Sequence, residues 1–312
     1  MRLLKLLLCT GMCLSLCACA PNKIKKNDTQ SSALEEDVDY HTYVVDGKEY
    51  SYNSHLMNFL ITGVDSEDTE SGQSDFVLVL SFDRENSNYR ILQLDRGAMV
   101  PIRMYDQERN FLGWKESYLA LSYTYGQGTK QSTLFTKDAV SKLLHSIPIT
   151  YYMTLSVQDL SMIQNVIGDM EVKIVDELAQ NINPEWTVGS TALITAENVE
   201  QFLRYRDINM SGTNEMRMER QKEYMNTYLS ALKNLIDSDF NTALNRVSEV
   251  ADKVYTNVEL GEISDILDMV TDYTFDDIYQ LPGEVKQGMI RDYFEIDYES
   301  LDDLIVSLYY VE

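Results

Sequence analysis

Three apolar runs rich in β-branched residues follow one another closely: MNFLITG (57–63), FVLVLSF (76–82) and YRILQL (89–94). Runs this short and this apolar read as strands buried on both faces, and such strands need a covering layer on each side. Helical patterns supply the covers. KDAVSKLLHSI stops before Pro148, and VQDLSMIQNVIG stops on Gly168. TAENVEQFLRYR has Thr195 as its N-cap, with Ala196, Val199, Phe202 and Leu203 on one face. NEMRMERQKEYMNTYLSALKNLI is a long amphipathic helix capped by Asn214 or Thr213. Further strands are expected at TYYMTLS (150–156) and MEVKIVD (170–176), and a hairpin at YVVDGKEYSY with an Asp46-Gly47 turn. The tail adds a helix at ELGEISDILDMV, a loop at LPGE and a last helix at ESLDDLIVSLYYV. With 312 residues and 44% hydrophobic content, the chain reads as one α/β domain with helices over a mainly β centre.

Charge and cysteine usage exclude several function classes. A formal net charge of −24 argues against binding DNA or RNA, which needs basic surface. The four cysteines are Cys9, Cys13, Cys17 and Cys19, so no zinc-finger site or disulfide framework falls in the folded part. His41, His55 and His145 are the only histidines and are scattered, so neither a His-based metal centre nor a Cys–His nucleophile pair is expected. At the N-terminus, Arg2 and Lys5 form a basic region, LLKLLLCTGMCLSL an apolar one, and LCAC (16–19) has the spacing of a bacterial lipobox. Residues 1–18 are then a signal peptide, and Cys19 carries lipid that tethers the domain to the outer face of the cytoplasmic membrane. A plain secretory signal cut near Ala20, or an uncleaved short anchor, are the other readings of that segment. Residues 20–39 read as a polar tether in which Lys23, Lys25 and Lys26 can touch anionic headgroups. The domain proper is expected over 57–312, with residues 19–56 holding the acylated cysteine, the tether and the hairpin.

An acidic chain gathers four arginines in LRYRDINMSGTNEMRMERQ (203–221). Arg204 and Arg206 end one helix. Arg217, Arg220, Gln221 and Tyr224 lie on one face of the next. The second helix also aims its N-terminal amides at the bend. Planar guanidinium donors beside a helix N-terminus suit phosphate or pyrophosphate. Structural pairing with some of the chain's 50 acidic residues is the competing account of each arginine. A second constellation is acidic: Asp65 follows a strand in ITGVD, and Asp75 opens one in SDFVLVL. Carboxylates at adjoining strand tips suit Mg²⁺, although each can equally serve a turn. Arg96, in LDRGAMV, ends a strand and points the same way.

These segments resemble the LytR-CpsA-Psr family of cell-envelope proteins. The resemblance is carried by FLITGVD, SDFVLVLSFD, ILQLDRGAMVPI, LSYTYGQG, SIPITYYMTLSVQDLSMIQNVIGDMEVKIVDE and FLRYRDINMSGTNEMRMERQ, with TNVELGEI and LPG later. It implies a single three-layer α/β domain with a central mixed β-sheet flanked by helices. It implies a membrane-anchored, extracytoplasmic phosphotransferase that moves a glycopolymer, such as teichoic acid or capsular polysaccharide, from a polyprenyl-pyrophosphate carrier to peptidoglycan. The partners are thus that lipid-linked glycopolymer, peptidoglycan and the membrane, with Mg²⁺ as cofactor. By the same resemblance Asp65 and Asp75 are metal-associated, and Arg96 matches the arginine of a Pro-Arg-Asp motif. Arg204, Arg206, Arg217 and Gln221 form the pyrophosphate clamp, with Arg220 beside it. Asp75, Arg96, Arg206 and Arg217 carry the chemistry. Phosphoryl transfer relies on positioning and charge stabilisation, so no histidine or cysteine nucleophile is required.

The chain departs from the family pattern at three places. Gln73-Ser74-Asp75 stands for Arg-Ser-Asp, Asp95-Arg96-Gly97 for Pro-Arg-Asp, and Asn214 for an Asp. An alternative reading is a lipoprotein that binds polyprenyl (pyro)phosphate but transfers weakly. On that reading, restoring the family residue at 73, 97 or 214 raises activity. A third is an unrelated tethered adhesin or solute-binding lipoprotein, with no affinity for lipid phosphate.

Overall fold

The computed structural model describes residues 42–106, 108, 110–289 and 291–312. Cys19 and the rest of the expected signal and tether lie outside them. The described residues fall within one compact unit.

In chain order, a hairpin of β1 (Thr42–Val45) and β2 (Lys48–Tyr52) leads into three long strands, β3 (Leu56–Val64), β4 (Ser74–Asp83) and β5 (Asn88–Leu94). The hairpin turns at Asp46-Gly47, both at positive φ. A second hairpin, β6 (Met99–Tyr105) with β7 (Phe111–Tyr118), precedes α1 (Leu121–Thr124) and α2 (Gly128–Leu143). Then come β8 (Tyr151–Ser156), α3 (Asp159–Ile167), the paired β9 (Met170–Lys173) and β10 (Thr191–Ile194), α4 (Val199–Arg204), α5 (Thr213–Ser238) and α6 (Phe240–Ala251). The chain ends with β11 (Tyr255–Thr256), α7 (Leu260–Asp272), β12 (Thr274–Gln280), the hairpin β13 (Gly283–Lys286) and β14 (Tyr293–Ile296), α8 (Tyr298–Tyr309) and β15 (Tyr310–Val311).

The central sheet is six-stranded, in the order β11-β8-β3-β4-β5-β12. Its middle is an antiparallel meander of β3, β4 and β5, and β8 and β12 add in parallel outside it, so the sheet is mixed. Side chains alternate between two apolar layers, as the strand period requires. Leu60, Val77, Val79 and Leu92 pack with Ala139 and Leu143 of α2 and with Leu301 and Ile305 of α8. Phe59, Phe82 and Tyr89 face α7 and the C-terminal half of α5 through Ile263, Leu267 and Ile236. This is the three-layer arrangement the sequence implies.

The site forms where strands end. β3 and β4 pair Gly63 with Phe76 and then Val64 with Ser74, so Asp75 is the extra residue of a β-bulge. A bulge re-aims the side chain it carries. Gly63 is needed there, because a Cβ would sit 2.0 Å from the Phe76 ring. Backbone bonds from Ser74 N to Ala120 O (3.2 Å) and from Ala120 N to Arg96 O (2.9 Å) tie this bulge to the end of β5.

Candidate active site

Asp75 is the hub. Its Oδ1 accepts from Arg217 Nη1 at 2.7 Å and Arg96 Nη1 at 2.8 Å, and its Oδ2 from Arg204 Nε at 3.1 Å. Arg217 Nη2 also reaches the Asp75 carbonyl at 3.3 Å. Burial alone would raise the pKa of Asp75, but the charges of Arg217 and Arg96 and the bonds from Arg217 and Arg204 hold it below the ordinary value. Arg96 lies between two carboxylates. Its Nη2 is 3.8 Å from Asp65 Oδ2 and donates to Gln73 Oε1 at 3.0 Å. Asp65 Oδ1 accepts the Gln73 N–H at 2.7 Å.

Arg206 is exposed, and among the described residues its guanidinium makes no hydrogen bond or ion pair. It lies within electrostatic reach of Arg217, Asp75 and Asp95. It lines a cavity of about 590 Å³ together with Gln73, Arg96, Asn209, Tyr118 and Arg291. On the other side of Asp75, a crevice of about 10 Å³ runs between Gly63, Val64, Phe76, Leu160 and Leu203. That is room for about one water molecule. Asp75 and Arg204 line this crevice too, whereas Arg96 and Arg206 line the wide cavity.

The arginine stretch divides. Arg204, Arg206 and Arg217 come together with Arg96, whereas Arg220 does not join them. It is 0% exposed, donates to both Asp176 oxygens at 3.0 and 3.1 Å, and reaches the Tyr205 carbonyl. Gln221 Nε2 donates to Leu203 O at 3.0 Å, while its Oε1 accepts from Gln93 at 3.1 Å. Arg220 and Gln221 thus satisfy carbonyls at the C-terminal end of α4 that the helix leaves unpaired. They fix the bend from which Arg204 and Arg206 project.

The ends of the two helices also differ from expectation. α4 begins at Val199, after Thr195, and Gly212 rather than Thr213 or Asn214 occupies the N-cap of α5, at φ 77°. Glu215 sits in the first turn of α5. Burial pushes the pKa of Glu215 up, and the charges of Asp95 and Asp292 add to this. The helix end that was expected to offer amides to an anion thus carries a carboxylate of its own.

The sequence profile of the LytR_cpsA_psr family matches residues 22–309. The chain belongs to this family. Relatives include two proteins named polyisoprenyl-teichoic acid–peptidoglycan teichoic acid transferase TagU. That of Enterococcus faecalis is 24% identical over 251 residues, 77% of this chain and 71% of that protein. That of Halalkalibacterium halodurans is 26% identical over 158 residues, 50% of this chain and 46% of that protein, so the match spans under half of its length. Among solved structures, B. subtilis TagT superposes with a TM-score of 0.60 at 17% identity, covering 84% of this chain and 92% of that one. B. subtilis TagV gives 0.61 at 20% identity, covering 81% and 95%. TagT with bound octaprenyl pyrophosphate lipid gives 0.57 at 16% identity, covering 84% and 92%. At these identities the structural likeness is one of fold.

The three departures from the LytR-CpsA-Psr pattern are all wired into the site. Gln73 holds Arg96, as above. Asp95, 2% exposed, accepts the Gly97 N–H on Oδ1 at 2.6 Å and Asn214 Nδ2 on Oδ2 at 2.7 Å. Asn214 Oδ1 in turn accepts from Arg217 Nη2 at 2.6 Å. Burial raises the pKa of Asp95, and the bonds from Gly97 and Asn214 oppose that rise. Sequence reasoning missed the role of Asp95 and also the far wall of the cavity. There Arg291 lies over the Tyr118 ring at 5.3 Å, and Ser211 Oγ donates to Asp292 at 2.6 Å. These residues come from the β7 end, the α4–α5 loop and the β13–β14 loop, and no local pattern marks them.

For a divalent cation, the described residues offer two carboxylates, Asp65 and Asp75, flanking Arg96. They form no cluster of three or more acidic, His or Cys ligands. Two hard oxygens, completed by phosphate oxygens and water, fit the habit of Mg²⁺.

Proposed function

We propose that this LytR-CpsA-Psr protein transfers a glycopolymer from a polyprenyl-pyrophosphate carrier to peptidoglycan on the outer side of the cytoplasmic membrane. The observation that carries the reading is the convergence of Arg96, Arg204 and Arg217 on one carboxylate at the edge of a polar cavity, with Arg206 unpaired in its wall. Arg204 also pairs with Glu200 at 2.7 Å and Arg96 lies 3.8 Å from Asp65, so with Arg206 four guanidinium groups face these three carboxylates and leave positive charge over. A pyrophosphate at this edge would take up that charge. The activity for which the TagU relatives are named and the lipid bound to TagT support the same ligand class.

The chemistry follows from charge placement. A hydroxyl of the acceptor glycan attacks the phosphorus that bears the glycopolymer. The bond from that phosphorus to the bridging oxygen breaks, and polyprenyl phosphate leaves with the bridging oxygen. The hydroxyl proton passes to a carboxylate of the cavity or to water. Arg96, Arg204, Arg206 and Arg217 hold the charge that builds on the departing phosphate. Asp65 and Asp75 would hold Mg²⁺, which neutralises pyrophosphate charge when bound. The wide cavity, lined by Gln73, Asn209 and Arg291, suits the glycan.

The test is to incubate the full-length protein in detergent with a polyprenyl-pyrophosphate glycolipid, peptidoglycan fragments and Mg²⁺, with and without chelator. A phosphodiester-linked product detected by mass spectrometry supports the transferase. Binding of the lipid without product would establish a carrier-lipid binder instead. The tether has its own test: Cys19→Ala should move the protein from the membrane to the soluble fraction, and a variant that stays on the membrane points to an uncleaved helix anchor. Among the described residues, no helix is long and apolar enough to cross a membrane.

A further inference from the structure

We propose that Asp95 and Asn214 are a matched pair of positioning residues that aims Arg217, and that neither can change without the other. The argument is one of hydrogen-bond direction. A buried carboxylate can only accept, and a guanidinium can only donate. Asn214 stands between them, giving Nδ2 to Asp95 at 2.7 Å and taking Arg217 Nη2 on Oδ1 at 2.6 Å. Only a side chain with both functions fits that place, and its two neighbours fix which way the amide faces. The other Asp95 oxygen is committed to the Gly97 N–H at 2.6 Å, so Asp95 cannot turn away. A Cβ at Gly97 would lie 3.0 Å from that same oxygen, so a carboxylate side chain there would crowd it with like charge. Arg217 is 2% exposed and its Nη1 lies on Asp75, so an error at Asn214 passes directly to the hub.

The consequence runs against the reading in which the three departures weaken the protein. Asn214→Asp puts acceptor against acceptor in a buried place. Asp95→Asn puts an NH2 against an NH2, and flipping Asn214 to relieve it turns donors onto Arg217. The double exchange, Asp95→Asn with Asn214→Asp, re-forms every bond: the new amide still accepts from Gly97 and now donates to position 214, whose carboxylate accepts from Arg217. The positional arrangement of charge changes, but the net charge does not.

The readout rests on the pyrophosphate reading of the site. The affinity of the full-length protein for octaprenyl pyrophosphate is measured in detergent for wild type, both single variants and the double exchange. Each single variant should bind at least tenfold more weakly, and the double exchange should return to within threefold of wild type. Asp95→Asn is the decisive arm, because it removes a negative charge. If local charge alone governed affinity, it would bind the anion more tightly. Tighter or unchanged binding by Asp95→Asn, or a double exchange no better than the singles, overturns the proposal. Should wild type itself not bind the lipid, the pyrophosphate reading fails on its own. The pair is then judged by urea unfolding of the same four proteins. Strong non-additivity supports it, and additive losses overturn it.

Discussion

Arg217 and Arg220 stand one turn apart on the same helix, are 2% and 0% exposed, and each meets a buried aspartate. Their circumstances nonetheless differ in kind. Among the described residues Asp176 has Arg220 as its one ion-pair partner, whereas Asp75 is shared among Arg96, Arg204 and Arg217. Burial raises the pKa of Asp176 against the opposing Arg220 charge, while Asp75 is held low by its surrounding arginines. A one-to-one buried pair balances its own charge, and its guanidinium also fastens the end of α4. A three-to-one arrangement leaves positive charge rather than extra donors, since among the described residues Arg217 and Arg220 each leave only Nε without a partner. The same residue type at nearly the same burial thus serves the fold in one case and a ligand in the other, and the number of partners distinguishes them.

This contrast can be broken experimentally. The largest effect is expected on stability from Arg220→Ala, which leaves Asp176 buried without its cation: a loss of about 3–5 kcal/mol in urea unfolding. Arg217→Ala should cost less stability, because Asp75 keeps two guanidinium partners. It should still lower transfer about 10²–10³-fold in the folded protein, as for loss of one donor to a developing oxyanion. Equal stability losses for the two variants, with activity tracking the folded fraction, would erase the distinction. Arg206→Ala sharpens it further. With no ion pair or hydrogen bond among the described residues, its stability should stay within about 0.5 kcal/mol of wild type. Transfer should fall about tenfold or more, as for one lost bond to a charged ligand. The smallest effect is in acid. The folded-state pKa of Asp75 lies below 3.8, so its stabilisation is fully present above that pH and fades only as pH falls further. Asp176 has the opposite sign. Its folded-state pKa is raised, so protonation on approaching pH 3.8 from above favours the folded state. Urea midpoints from neutral pH downward, with Asp75→Asn and Asp176→Asn as references, should show the Asp176 difference changing first. The reverse order would mean the two aspartates have been assigned to the wrong environments.

Much of the frame was legible because strand and helix periodicity are local. The three central strands, β8, α3 with its Gly168 stop, and the long α5 fall where the pattern puts them. The convergence of Asp65, Asp75 and Arg96 was also legible, since all three stand at strand ends. What the pattern could not contain is pairing across the chain. Asp176 lies 44 positions from Arg220 and claims it, and Asp95 lies 119 from Asn214. Spacing on α5 puts Arg217, Arg220 and Gln221 on one face, but that face meets Asp75 at one turn and the end of α4 at the next. The hairpin β6–β7 carries a sequence too polar to stand out, and LPGE begins the hairpin β13–β14 rather than only a loop.

The donor proposed here has a lipid at one end and a long polymer at the other, so it cannot be threaded through a closed ring. Between the α4–α5 loop, which carries Arg206, and the β13–β14 loop, which carries Arg291, the hydrogen bond among described residues is Ser211 to Asp292. Such a bond contributes about 1 kcal/mol net, or somewhat more to a charged acceptor. So light a link adds little to the cost of parting the two loops. The middle of a polymer-bearing lipid can be laid into the cavity like a cord into a cleat, and the product lifted out without either end passing through.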